Sequence, residues 1–176
     1  MTEKPSVVMS VEAVNALDEE AFVSRFGDVA EDSPWVAKAA FAARPFADRD
    51  ALVEAFTAAL RDADPASQLE LLCAHPDLAG KAALAGSLAQ ASAEEQAQAG
   101  LDRLSREEFA RFHDLNDRYR RRFGFPFIFA VKGATKQAVI AAFEDRIDNE
   151  IEVERATALA QVGRIFRFRI EDRVVR

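Results

Sequence analysis

Cysteine is almost absent from this chain of 176 residues: Cys73 stands alone, so no internal disulfide can form and nothing asks for an oxidising compartment. Glycine is scarce, at 7 residues, and alternating β-branched runs are nearly missing, which counts against strands. No uncharged apolar run reaches the ~18 residues of a membrane span. The first residues, MTEKPSVVMSVEAV, lack the basic-then-apolar layout of a signal peptide, and the terminal RVVR is no peroxisomal address of the SKL type. These absences predict a cytoplasmic protein. A basic excess is lacking too. Lys and Arg number 23 against 30 Asp and Glu, a net charge of −7, which argues against nucleic-acid or membrane-surface binding yet leaves room for a small anionic substrate.

What is present is a folded helical chain. Hydrophobic residues make up 49% and charged ones 30%, and the length suits one domain. Alanine, leucine, glutamate and arginine dominate, so we expect an all-α, single-domain bundle of about eight to nine helices, with residues 1–9 a flexible N-terminal segment. Helix starts are marked by Ser10, by Asp18, by Ser33 before Pro34, by Asp48, and by Asp64 before Pro65. Leu52, Val53, Phe56 and Leu60 form a core stripe, and Pro76 forces an end to the helix before it. Ser92 with Glu95, and Ser105 with Glu108, both fit a capping box. The second should open a long helix with Phe109, Phe112, Leu115, Tyr119 and Phe123 on its buried side, ending at Gly124. Two more helices are expected, from Thr135 to about Ile147 and from Asn149 to about Arg169.

Chemistry-bearing residues are few. His75 lies at a helix end, where the dipole favours its charged form and proton transfer suits it; its plainer role is to cap carbonyls. His113 reads as an exposed or structural side chain. HExxH, CxxC and a phosphate-binding glycine loop are all missing, so no metal site is expected. Cys73, among Leu71, Leu72 and Ala74, reads as a buried inert thiol. Glu95 has a plain explanation as the acidic half of a capping box. The same helix start nevertheless offers N–H groups, the Ser92 hydroxyl and the Gln96 amide to an anionic ligand. The run Phe127 to Val131, flanked by Gly124 and Gly133, is either core or a stretch whose backbone reads a heterocycle by paired hydrogen bonds.

Together these segments carry a resemblance. SPWVAKAAFAARPF near the start, AHPDLAGK at 74–81, SAEEQAQAGLD at 92–102, LNDRYRRRFGFPFIFAVKG at 115–133, RIDNE, and ALAQVGRIFRFRI towards the end follow in that order. The chain resembles the 2-oxo-4-hydroxy-4-carboxy-5-ureidoimidazoline (OHCU) decarboxylase family of urate breakdown over almost everything beyond residue 10. The resemblance implies an all-helical, cofactor-free enzyme that converts its ureidoimidazoline substrate to (S)-allantoin and carbon dioxide. It puts His75 on the family's catalytic histidine and Glu95 beside it in catalysis. Pro76, the run Ser92, Ala93, Glu94, Glu95 and Gln96, the run Phe127, Ile128, Phe129, Ala130 and Val131, and Arg169 fall on substrate-binding positions.

Two rivals stand against this reading: a non-catalytic helical interaction module or hydrolase on the same scaffold, and an enzyme acting on another hydroxy-carboxy ureide. Phenylalanine is plentiful, at 14 residues, more than one small helical core readily hides, which predicts a homodimer. The resemblance points the same way.

Overall fold

The structure, a computed structural model, describes residues 8–80 and 85–176. Residues 1–7, most of the expected flexible segment, and Lys81, the last residue of AHPDLAGK, lie outside the described residues. Everything regular in it is helical: α1 Val11–Asn15, α2 Glu19–Phe26, α3 Trp35–Phe41, α4 Arg49–Arg61, α5 Pro65–Ala74, α6 Gln90–Gln98, α7 Arg106–Phe123, α8 Lys136–Arg146 and α9 Ile151–Glu171. Among the described residues the β content is a single parallel bridge between Met9 and Val174. The all-α expectation holds.

Short polar side chains start most of these helices by accepting from the N–H three residues on, which supplies a partner the helix itself cannot. Ser10, Asp18, Asp48 and Thr135 do so at α1, α2, α4 and α8. At α7 both halves of the capping box form: Ser105 Oγ accepts from the Glu108 N–H at 3.1 Å, and Glu108 Oε2 accepts from the Ser105 N–H at 2.9 Å. Gly124 then ends the helix at φ +80°, where a side chain would be strained. Ser33 does not cap α3 as expected. Pro34 already has helical angles, so it takes the cap position itself, and Ser33 offers its carbonyl to the Val36 N–H instead.

The chain forms two compact units. One comprises residues up to 64 together with 163–176; the other is 65–162. In the first, Phe22, Phe26 and Phe56 cluster with Phe166, ring centroids 5.0 Å apart for Phe22 and Phe26 and 6.0 Å for Phe56 and Phe166. In the second, Tyr119 on α7 is packed by Phe123, Phe125, Phe127 and Phe143, and the rings of Phe127 and Phe143 stack at 3.8 Å. Each such ring, fully buried, contributes about 1.5–3 kcal/mol. The premise that phenylalanine overflows the interior is corrected here. Among the described residues the large apolar side chains left exposed are Val8, Leu69, Ile151, Val153 and Val175, and no phenylalanine is among them. Phe109, expected on the buried side of α7, is only half-buried and stacks on exposed His113.

Candidate active site

The unit 65–162 holds the loop that follows α5. Pro76 pushes the residue before it out of helical geometry, so α5 stops at Ala74 and His75 leads into the loop. His75 is 6% exposed, and its Nδ1 lies 3.0 Å from the Leu71 carbonyl oxygen. A carbonyl only accepts, so Nδ1 carries a proton and Nε2 is the nitrogen that gains or loses one. The Nδ1 contact caps the helix end and leaves Nε2 as the other nitrogen of the ring.

The loop beyond His75 is tied down residue by residue. Arg120 Nε donates to Asp77 Oδ1 at 2.8 Å, Asn116 Nδ2 to the Leu78 carbonyl at 2.9 Å, and the Ala79 N–H to Gln96 Oε1 at 3.0 Å. Ala79 sits at φ +51°, a left-handed conformation that costs a residue with a Cβ roughly 1–2 kcal/mol. Gly80 has no room for a side chain, since a Cβ there would fall 2.6 Å from that of Asp77. Strain of this kind persists only where surroundings over-determine the backbone, and three anchoring side chains do so here. Asn116 is 4% exposed, and its Oδ1 is buried with no hydrogen-bond partner among the described residues.

Gln96 links this loop to α6, where one expectation is overturned. The helix begins at Gln90, with Ala89 as its cap and no side chain bonded there. Ser92 is already in the first turn, so Ser92 and Glu95 are not a capping box. The Ala93 N–H is spent on the Ala89 carbonyl at 2.9 Å, which moves the exposed N–H groups upstream of the expected start. Ser92, Glu95 and Gln96, three and four residues apart, share a face. Ser92 and Gln96 are buried and Glu95 half-buried, whereas Ala93 and Glu94 are exposed, Glu94 accepting from Gln90 Nε2 at 2.9 Å.

Residues 125–131 run without regular structure between α7 and α8. The Phe127 and Phe129 rings lie nearly parallel, 6.3 Å apart, as side chains two residues apart do on an extended chain. Phe127, Ile128, Ala130 and Val131 are buried and Phe129 half-buried. This run is not a helical stripe, and Phe127 nevertheless serves the core, so the core reading holds for it in part.

Pro76 is half-buried. Arg169, in the other unit, is buried with Nη1 donating to the Val29 carbonyl at 3.3 Å and Nη2 3.6 Å from Glu31 Oε2. Cys73 is corrected: it faces outward from α5 and is exposed, its thiol 3.5 Å from the Gly124 carbonyl, because Leu71 and Leu72 take the buried face of that helix. His113 is exposed, as expected.

Several residues that shape this region escaped notice as individuals. Asn116 and Arg120 sit four apart on α7, and Arg146, Glu154 and Gln161 lie behind the 127–131 segment. An asparagine with apolar neighbours at helical spacing was the visible signal for the first. The others carry no local signal, since ion pairs across helices leave no spacing in sequence.

The region is helical throughout, with a buried histidine whose loop is clamped from α6 and α7. The chain belongs to the OHCU decarboxylase family, whose model matches residues 15–171. It is 44% identical over 165 residues to the 2-oxo-4-hydroxy-4-carboxy-5-ureidoimidazoline decarboxylase of Haloferax volcanii, covering 94% of this chain and 96% of that protein. It is also 37% identical to the uric acid degradation bifunctional protein of Bacillus subtilis, covering 94% of this chain but only 33% of that longer one. The crystal structure of (S)-allantoin synthase superposes with a TM-score of 0.74 at 31% identity. This chain covers 54% of that one and 94% of itself.

Proposed function

We propose that the protein decarboxylates OHCU to (S)-allantoin and carbon dioxide in urate breakdown, with His75 as the proton-transfer residue. The supporting observation is His75 itself, buried, with Nδ1 held by the Leu71 carbonyl so that Nε2 is its working nitrogen. When the bond to the carboxylate breaks, its electron pair flows into the substrate's own imine, leaving an enol across the ring carbons. The imine nitrogen that took the electron pair is protonated, the neighbouring ring carbon receives one proton on one face, and the hydroxyl loses its proton to become the carbonyl of allantoin, a net uptake of one proton. Carbon dioxide leaves with no electrons gained or lost overall.

The protein has two tasks: to hold the carboxylate in line with the ring π-system and to deliver that proton to one face. His75 performs the second near neutral pH, where imidazole titrates. Glu95 orients His75 or takes the hydroxyl proton, with Ser92 and Gln96 beside it on the same helix face. Gln96 has its oxygen committed to Ala79, so its amide nitrogen is the group that can meet a ligand, as a donor. Pro76 and the backbone from Phe127 to Val131 complete the contacts. Arg169 is the cation proposed for the substrate carboxylate.

Because the substrate supplies the electron sink, exhaustive dialysis against a chelator should leave the rate unchanged. A rate lost on dialysis and restored only by a divalent metal would overturn the cofactor-free mechanism. A cytoplasmic homodimer belongs to the same proposal. Its surface is now the exposed aliphatic set, Leu69, Ile151 and Val153, in place of phenylalanine. Light scattering should give a mass about twice 19.4 kDa; a value that stays at the monomer mass at high concentration refutes it.

A further inference from the structure

Among the described residues the extended run from Phe127 to Val131 has no neighbouring strand, so the partners of its backbone groups can be followed one by one. The Ile128 carbonyl accepts from Arg146 Nη1 at 2.8 Å, and the Ala130 N–H donates to Gln161 Oε1 at 3.0 Å. On an extended chain, residues two apart present N–H and C=O to the same edge, and the residues between them present theirs to the opposite edge. Side chains therefore hold the Ile128 C=O and the Ala130 N–H, the two adjacent groups in the middle of that edge, while the Ile128 N–H and the Ala130 C=O make no hydrogen bond among the described residues. Among the described residues, the N–H and C=O groups of Phe127 and Phe129 make no hydrogen bond.

The two held groups have a rigid backing. Arg146 Nε and Nη2 both donate to Glu154 Oε1, at 2.8 and 2.5 Å, and its guanidinium lies 4.4 Å from the Phe127 ring centroid. Glu154 is 0% exposed and also accepts from the Tyr119 hydroxyl at 2.5 Å and from Asn149 Nδ2 at 3.0 Å. Burial first, and the Glu154 carboxylate second, hold the Tyr119 hydroxyl above the ordinary tyrosine range, so it stays a donor. With the carboxylate fixed by donors from three side chains, the planar guanidinium has one orientation left, and in it Nη1 meets Ile128.

We propose that Arg146, braced by Glu154, and Gln161 are positioning residues that hold the segment in one register and so present the backbone edge of Phe127 and Phe129 to the substrate. An amide edge pairs an N–H with a C=O and is complementary to the H–N–C=O edge of a ureide, so this edge selects the ureido or lactam side of the substrate. The inference rests on the reading of residues 127–131 as substrate-binding. Fixing the edge before binding removes an ordering cost that would otherwise weaken affinity.

Gln161 is only half-buried, so it can be changed with less risk to the fold than the Arg146 and Glu154 pair. Steady-state kinetics with freshly generated OHCU, run on Gln161→Leu, Gln161→Glu and Phe129→Ala, provide the test. Gln161→Leu should raise KM about tenfold with kcat little changed, the loss of one hydrogen bond read as binding. Gln161→Glu, which keeps an acceptor for the Ala130 N–H, should restore KM. A purely structural role predicts instead a lower melting temperature and less active enzyme at unchanged KM. An unchanged KM in Gln161→Leu, with a raised one in Phe129→Ala, overturns the positioning role and keeps the substrate-binding segment. Unchanged KM in both removes the segment from the site and the inference with it. A KM that Gln161→Glu fails to restore also overturns it.

Discussion

Replacing His75 with asparagine should lower kcat for OHCU by ~10²–10⁴-fold, with the helical spectrum and melting temperature close to those of the parent protein. Asparagine is the informative choice because its amide nitrogen can still donate to the Leu71 carbonyl, as Nδ1 does at 3.0 Å. The helix end stays satisfied while the titrating nitrogen is lost. The stereochemistry of the product separates the two chemical steps. If His75 delivers the proton to one face, the residual allantoin made by the variant should lose its excess of the S enantiomer, because solvent protonates both faces. If His75 instead assists cleavage of the carboxylate bond, the product should stay S at a reduced rate. A folded His75→Asn protein with parental turnover and pure S product would take His75 out of the chemistry altogether.

Where the sequence succeeded, a single local rule was at work. Asp18, Asp48, Thr135 and Ser105 cap their helices because a side-chain oxygen within three residues of an orphan N–H needs no help from the rest of the chain. Capping misled where two local rules competed. Ser92 and Glu95 have the spacing of a capping box, but the helix extends two residues upstream through Gln90 and Ala91, good helix formers that nothing local interrupts. Cys73 was misjudged for another reason. Apolar neighbours in sequence bury a thiol only if they share its face, and on a helix the residues one and two positions away do not.

Much of the candidate site was legible as segments, through a resemblance carried by the order of motifs along the chain. The contacts that hold those segments were not. Asn116 meets Leu78 across 38 positions, Arg120 meets Asp77 across 43, and Gln161 meets Ala130 across 31. Separations of that size follow from tertiary packing, which hydrophobic periodicity places by face and not by partner.

The corrected start of α6 changes what Glu95→Gln means. Had Glu95 been the acidic half of a capping box, glutamine would have replaced it almost silently, since glutamine also reaches back to an N–H. In the structure Glu95 lies beyond the first turn of Gln90–Gln98, half-buried on the face of Ser92 and Gln96, and the cap of that helix involves no side chain. Stability should therefore be nearly unchanged by glutamine, which has the same shape and a similar helix propensity. Activity should not be. Glutamine retains an acceptor and a donor but cannot take up a proton near neutral pH, so a carboxylate that receives the hydroxyl proton or orients a charged imidazole is lost outright. We expect kcat to fall by ~10²-fold or more, at a melting temperature within a few degrees of the parent. A variant as active as the parent would leave Glu95 with no part in the chemistry, and the hydroxyl proton would then have to leave through His75 or solvent. A variant that loses activity and stability together would instead make Glu95 a structural residue of α6.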